Sequence, residues 1–281
     1  MIYLLLSILA STGVLVIFRW LGSHNANTRH AITLSYLVAA LFGFIFFDSD
    51  LEVVFANWFW FAAIEGGAFY FVFRLMAKTT QVNGIAVASI ATKMSVVIPV
   101  CIGIFFLNES AGIVKILGIA AGIFAVVLSA GSFLQVKQSI WPILVFLGSG
   151  LIDASFKLFQ IWGVSESQFP AFLTTVFSFA FVVGLIHHLT CKDRKIRLPS
   201  LFGATMLGLI NFATVYFLLK ALAQPSWESS LIYPMNNFGV VVLSTLVAVV
   251  IFREKLNPRG LVGLWMAVGS IGLLFLGTVS V

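Results

Sequence analysis

Residues 70–84 read YFVFRLMAKTTQVNG, and residues 216–230 read YFLLKALAQPSWESS. A second pair joins NESAGIVKILGIAAG at residues 108–122 with REKLNPRGLVGLWMA at residues 253–267. The two pairs are separated by 146 and 145 positions, so a single gap aligns both. The matches include Arg74 with Lys220, Glu109 with Glu254, and Gly118 with Gly263. Self-similarity at a nearly constant offset indicates that the chain contains an internal repeat.

The composition around these stretches excludes an ordinary soluble enzyme, a disordered chain and a fibrous protein. Of the 281 residues, 60% are hydrophobic and only 9% are charged, whereas a soluble domain has roughly 25% charged residues. The mean hydropathy is +1.09. The net charge of +6 comes from cations in short loops between apolar stretches. Anionic lipid headgroups are therefore the expected partners, and nucleic acid is not.

The apolar stretches are long enough to cross a membrane. A helix needs about 20 apolar residues to span a bilayer, and the loops between such stretches leave no room for a soluble domain. We therefore expect an all-α integral membrane protein whose chemistry takes place within the membrane. This criterion predicts ten transmembrane helices, at residues 2–20, 30–47, 53–76, 84–107, 113–131, 141–161, 169–189, 200–223, 228–252 and 260–279.

Charge placement predicts the orientation of these spans. Twelve cations lie in or beside the odd-numbered loops, against Lys115 and Lys220 beside the even-numbered ones. By the positive-inside rule, the odd-numbered loops face the cytoplasm and both termini lie outside, most simply in a bacterial inner membrane. The twelve are Arg19, Arg29, Arg74, Lys78, Lys137, Lys192, Arg194, Lys195, Arg197, Arg253, Lys255 and Arg259.

The repeat and the span count together predict two inverted halves. Residues 1–135 hold the first five predicted helices, and residues 136–281 hold the other five. Because five is odd, the second half enters the membrane from the opposite side. Inverted repeats are typical of alternating-access transporters, whose substrate site lies near the midplane between the halves.

At this level the chain resembles the EamA-type branch of the drug/metabolite transporter superfamily. The resemblance rests on FFLNES around Glu109 with GIVKILGIAAGI after it, and on IFREKL around Glu254 with RGLVGLWMAVGSIG after it. It covers nearly the whole chain and implies that helices 1, 3, 4, 6, 8 and 9 enclose a central cavity, with helices 5 and 10 outside it. The two halves differ at one notable position: the fourth helix has Lys93 where the aligned helix of the second half has Gly239.

Four ionisable residues fall at membrane depth: Glu65, Lys93, Asp153 and Lys157. Each costs about 2.5–3.5 kcal/mol in hydrocarbon, so we expect them to face the bundle interior and to pair. Asp153 and Lys157 are four residues apart on one helix face. They form either a pair that satisfies itself or a site for a polar or zwitterionic substrate. The two interpretations are compatible if the pair is closed without ligand and opened by ligand.

Three roles are open for Glu65. Trp58, Phe61 and Phe69 share its helix face, and an acid among aromatic rings suits a cation or an ammonium group. Glu65 is alternatively a structural partner of Lys93, or a proton carrier with a pKa raised by burial. At the repeat offset it corresponds to Asn211, so the sequence suggests one charged wall and one neutral, hydrogen-bonding wall.

The ninth predicted span adds Tyr233, Asn236 and Asn237, which share one helix face beside Pro234. Buried amides are costly unless they are hydrogen-bonded, so these residues either join helices or line the cavity beside a proline hinge. Pro99 is a second candidate for such a hinge. Gly118 and Gly122 form a GxxxG pattern, for which packing within the monomer is the favoured interpretation.

These features predict a secondary transporter, not an enzyme, that moves a small polar, zwitterionic or cationic metabolite resembling an amino acid. No nucleotide-binding, cofactor or metal motif is present, so energy would come from the substrate gradient, from protons as a coupling ion, or from exchange. The alternatives are a lipid-carrier flippase and, less favoured, an intramembrane enzyme acting on lipid. The expected partners are the substrate and membrane lipids, and the chain is a monomer or a homodimer.

Overall fold

Apolar helices make up the fold. The structure, a computed structural model, describes residues 2–24, 26–46, 57–106, 112–130, 139–161, 168–190, 197–222, 229–255 and 258–279, and no strand occurs among them. Within a bilayer every backbone N–H and C=O must bond inside its own segment, which favours helices. The helices are α1 (Ile2–Ser23), α2 (Thr28–Phe46), α3 (Phe59–Asn83), α4 (Ile85–Met94), α5 (Val97–Phe106), α6 (Ile113–Ala130), α7 (Trp141–Ile161), α8 (Phe169–Thr190), α9 (Leu198–Leu222), α10 (Ser229–Val250) and α11 (Pro258–Val279).

The protein is a multi-pass membrane protein. Seven of the described helical segments are long and apolar enough to cross a bilayer, with α4 and α5 together counting as one, and three shorter apolar helices accompany them at Ile113–Leu128, Trp141–Ser155 and Met235–Val250. Large apolar side chains such as Trp60, Ile64 and Phe105 point outward and are exposed. A surface this rich in exposed apolar groups is suited to lipid.

The predicted span at 84–107 is interrupted, because α4 ends at Met94 and α5 begins at Val97. Pro99 has no N–H, so it cannot donate to the carbonyl of Ser95 as a continuous helix requires. The Ile98 N–H donates to that carbonyl instead, at 2.9 Å. The chain thus makes one tight turn between two helical segments. At the other candidate hinge, α10 runs through Pro234 without interruption.

Small residues allow the helices to approach closely. α2 packs against α8 and α9, α3 packs against α7 and α8, and α6 packs against α11. Ser270 of α11 donates to the carbonyl of Gly118 at 2.7 Å, and a Cβ on Gly122 would lie 2.9 Å from the Ser270 hydroxyl. The prediction that Gly118 and Gly122 pack within the monomer is confirmed.

Candidate functional site

A buried carboxylate joins α3 to α7. Glu65 lies in the second turn of α3 and is only 4% exposed. The Ser155 hydroxyl of α7 donates to its Oε1. Its Oε2 is buried and has no hydrogen-bond partner among the described residues. A buried oxygen without a donor is costly, so this carboxylate retains one position for a ligand, a water molecule or a proton.

A second carboxylate meets the break between α4 and α5. Asp153 lies midway along α7, and its Oδ2 accepts a hydrogen bond from Ser95 Oγ at 3.0 Å. The same hydroxyl lies 2.5 Å from the carbonyl oxygen of Thr92, so two acceptors share its single proton. Asp153 is exposed, unlike Glu65, although the Ser95 hydroxyl that it contacts belongs to a fully buried residue. Its carboxylate is therefore bonded on the protein side and less enclosed than that of Glu65.

Lys93 supplies the opposite charge. It is half-buried in the last turn of α4, and its ammonium interacts electrostatically with Asp153, whose charge also acts on Glu65. We call Glu65, Lys93 and Asp153 the charged cluster. It brings two acids and one base from three helices into one region, with Ser95 and Ser155 as hydroxyl donors. An arrangement of both signs suits an ammonium group that faces the carboxyl groups, or a zwitterion whose carboxylate faces Lys93.

The aromatic residues expected around Glu65 pack mainly on α8. The Trp58 ring meets Phe172 edge-on at 5.6 Å between centroids, and Phe61 stacks on Phe172 at 6.4 Å. Glu65 instead bonds to α7. The face of α3 that carries Glu65 and these aromatic residues packs against two neighbouring helices. Helical spacing alone does not predict which neighbour each side chain contacts.

Two buried amides remain incompletely bonded. Asn211 of α9 and Asn236 of α10 are both buried, and neither Nδ2 of Asn211 nor Oδ1 of Asn236 has a hydrogen-bond partner among the described residues. Asn237 is half-buried. The side chains of Lys157 and Tyr233 lie outside the described residues. The hydroxyls of Ser95 and Ser155 were not predicted, because single serines in apolar helices follow no pattern.

A separate polar network closes one end of the helix bundle. Both carboxylate oxygens of Glu254 lie 3.1 Å from the Ile85 N–H, at the start of α4, and Arg19 Nε lies 3.7 Å from Oε1. Arg19 also donates to the Gln81 carbonyl at 3.0 Å, and the Gln81 amide donates to Phe18 O and Thr28 Oγ1. We call this network the Glu254 latch. It ties α1, α2, α3 and α4 to the segment between α10 and α11.

The contribution of the Glu254 latch to stability depends on whether the Glu254 carboxyl group is protonated. The Glu254 side chain is only 6% exposed, and burial raises the pKa of its carboxyl above the ordinary value, although the Ile85 N–H and Arg19 favour the charged form. A raised pKa in the folded state means that protonated Glu254 stabilises the fold relative to the unfolded chain. That stability is fully present below the unfolded pKa and is lost as the pH rises through the folded pKa.

We therefore expect Glu254→Gln, which stays neutral, to abolish this part of the pH dependence. Melting temperatures of the solubilised wild type and variant, measured from pH 4 to pH 8, provide the test. The melting temperature of the variant should rise by a few degrees relative to that of the wild type as the pH rises from the ordinary glutamate pKa toward neutrality. Parallel profiles would contradict the assignment. Lys255→Gln, in the same segment but exposed, is the control.

Comparisons with known proteins extend over nearly the full length of the chain. No family model matches it. An uncharacterized protein of Haemophilus influenzae (strain Rd) is 26% identical over an alignment of 287 positions, gaps included, that covers 97% of each chain. A solved structure described as "Crystal structure of protein" has 14% identity and a TM-score of 0.59, and the match covers 96% of this chain and 97% of that chain. The structural likeness shows that the helical fold is shared with a solved protein.

Proposed function

We propose that this protein is a secondary transporter for a small zwitterionic or cationic organic compound resembling an amino acid. The charged cluster is the observation that carries the proposal. It places both signs of charge beside a broken helix. Ionisable residues inside a membrane usually serve a substrate or ion pathway, and discontinuous helices are typical of transporter sites.

The proposed architecture is ten transmembrane helices in two inverted five-helix repeats, with α4 and α5 forming one span. Helix packing supports it, since exchanging the halves exchanges equivalent contacts. α2 packs on α9 as α8 packs on α3, and α1 packs on α9 as α7 packs on α3. α6 and α11, the fifth span of each half, pack on each other. These relations are the ones that a two-fold axis between the halves requires.

Departures from this symmetry suggest the state of the transporter. The ends of α1 and α3 meet through Phe18 and Phe73, 5.4 Å apart, and through Arg19 and Gln81. The equivalent helices, α7 and α9, do not pack closely within their described residues. In the proposed orientation, with both termini outside a bacterial inner membrane, the protein is closed at the cytoplasmic end by the Glu254 latch and open at the other. Rocking of the halves would exchange these ends.

Thermal shifts and transport assays on the purified protein test this function. The ligand panel comprises amino acids, quaternary amines, nucleobases, sugars and lipid headgroups. A native-state ligand must raise the melting temperature by mass action. We expect one class of zwitterion or cation to do so, and Glu65→Gln to weaken its binding about tenfold to a hundredfold, as expected for the loss of a charged hydrogen-bonding group.

Ser178→Ala is the matched control, because Ser178 is a polar residue of α8 that bonds to its own helix at Thr174 O. Saturable uptake of the shifting compound into proteoliposomes would establish transport. If Glu65 carries the coupling proton, the Gln variant should exchange substrate without accumulating it. Failure of every soluble compound to bind, together with movement of a lipid-linked substrate, would replace the proposal with the flippase. A covalently changed product would establish an enzyme.

A further inference from the structure

A basic pocket lies where the start of α2 meets α3 and the start of α9. Its volume is about 520 Å³. Its lining contains three guanidinium groups and no described carboxylate. The lining residues are Ala26, Asn27, Thr28, Arg29, Arg74 and Arg197. Guanidinium groups that line one pocket at the edge of a membrane repel one another, so an anion bound among them is stabilised.

The neighbours of Arg74 hold it in place without neutralising it. Its Nη1 lies 3.0 Å from Nδ1 and 3.4 Å from Nε2 of His187 in α8, and the Tyr70 hydroxyl lies 2.9 Å from the same Nδ1. Arginine stays protonated, and neither an imidazole nor a phenol supplies a negative charge to it. The guanidinium thus keeps its full charge and its remaining N–H groups. Arg74 is oriented by side chains that supply no counter-charge.

The hydrogen-bonding capacity of Arg29 is also incompletely used. It follows the first residue of α2, and its Nε is buried without a hydrogen-bond partner among the described residues. The Asn27 backbone N–H donates to the Ser200 hydroxyl of α9 at 2.8 Å, which fixes the start of α2 against α9. The pocket is therefore built on fixed helix ends.

We propose that this arginine pocket binds a phosphate-bearing anion. Guanidinium groups bind phosphate oxygens through paired N–H donors, and basic pockets between transmembrane helices on the cytoplasmic side bind lipid headgroups. The positive-inside orientation places the pocket at that side, within reach of the phosphate of an anionic lipid. A free phosphate compound offers the same chemistry from solution. The proposal is independent of the transport function, because the charged cluster does not take part.

Binding is measured on the full-length purified protein. One arm titrates detergent micelles with phosphatidylglycerol or, for comparison, phosphatidylcholine, and counts retained lipids by native mass spectrometry. The other arm follows the thermal shift with inorganic phosphate against chloride at equal ionic strength. The test variant is Arg29→Gln with Arg197→Gln, which leaves the Arg74–His187 contact intact. The control is Lys78→Gln with Lys255→Gln, which removes the same charge from exposed positions.

We expect the arginine double variant to bind about thirtyfold more weakly, and the lysine double variant to bind nearly as the wild type does. Selective loss of phosphatidylglycerol would identify a lipid headgroup as the ligand. Selective loss of the shift with inorganic phosphate, without a change in retained lipid, would identify a soluble phosphate compound. Equal losses in the two double variants would attribute binding to general surface charge and overturn the proposal. Absence of binding in both arms would overturn it as well.

Discussion

Replacement of Gly84 by alanine is expected to lower the melting temperature of the solubilised protein by about 5–10 °C, corresponding to roughly 3 kcal/mol. Gly84 connects α3 to α4 with φ 94° and ψ 168°, a conformation that is essentially restricted to glycine. A Cβ at this position would also lie 2.5–3.1 Å from the Glu254 carboxyl group. Backbone strain and steric conflict with the latch therefore act together.

Gly269→Ala is the matched control for this substitution. Gly269 is in α11, and a Cβ there would have no neighbour within 4 Å. Alanine is the better helix former by up to about 1 kcal/mol, so the control should melt at the same temperature or higher. Thermal unfolding of both variants in one detergent gives the comparison. Equal melting temperatures for the two variants would show that Gly84 and the latch do not constrain the connection between α3 and α4.

Asp153→Asn is expected to have the largest combined effect on stability and on ligand binding. The substitution removes the counter-charge of Lys93 and leaves an ammonium group at membrane depth. Because Lys93 is half-buried and Asp153 is exposed, the uncompensated charge should cost about 1 kcal/mol, less than the loss of one partner from a fully buried pair. A loss of this size should lower the melting temperature by about 2–4 °C. Binding of the compound identified in the thermal-shift screen should fall at least about a hundredfold, since a carboxylate of the charged cluster is gone.

The double variant Asp153→Asn with Lys93→Met separates the structural role from the binding role. Removing both charges eliminates the uncompensated ammonium, so thermal stability should return close to the wild-type value. Ligand binding should remain lost, since both charged contacts are absent. Recovery of binding together with stability would show that the two residues form a structural pair outside the substrate site. Thermal melts and binding titrations of the two single variants and the double variant complete this cycle.

Local sequence properties predicted the elements of the fold because their causes are local. Apolar length produces a helix in lipid whatever lies beside it, so the ends of the predicted apolar segments agree with those of the described helices to within several residues in most cases, and seven of these helices are long and apolar enough to cross a bilayer. The spacing of Gly118 and Gly122 likewise predicted close packing, because two glycines four residues apart leave one helix face without side chains. Pro99 was the sole sign in the sequence that the fourth predicted span is interrupted. The structure shows the resulting turn, in which the Ile98 N–H donates to the Ser95 carbonyl.

The sequence predicted which charged residues form the candidate site, but not which partner each of them contacts. Glu65, Lys93 and Asp153 are conspicuous in sequence because charge is rare at membrane depth. The partner of the Glu65 carboxylate is the Ser155 hydroxyl, and Lys93 interacts with Asp153. Spacing along one helix relates residues three or four apart. It carries no information about which neighbouring helix each stripe faces.

Residue order alone predicts an α-helical membrane protein, the approximate positions of its helices and the rare polar residues that they carry. Those properties follow from hydrophobicity and hydrogen bonding along one segment. Helix packing brings Glu254 to Ile85 and Arg19, and places Arg29, Arg74 and Arg197 around one pocket. Contacts between residues up to 235 positions apart are set by how helices pack. Packing depends on the fit of whole surfaces, which no local pattern specifies.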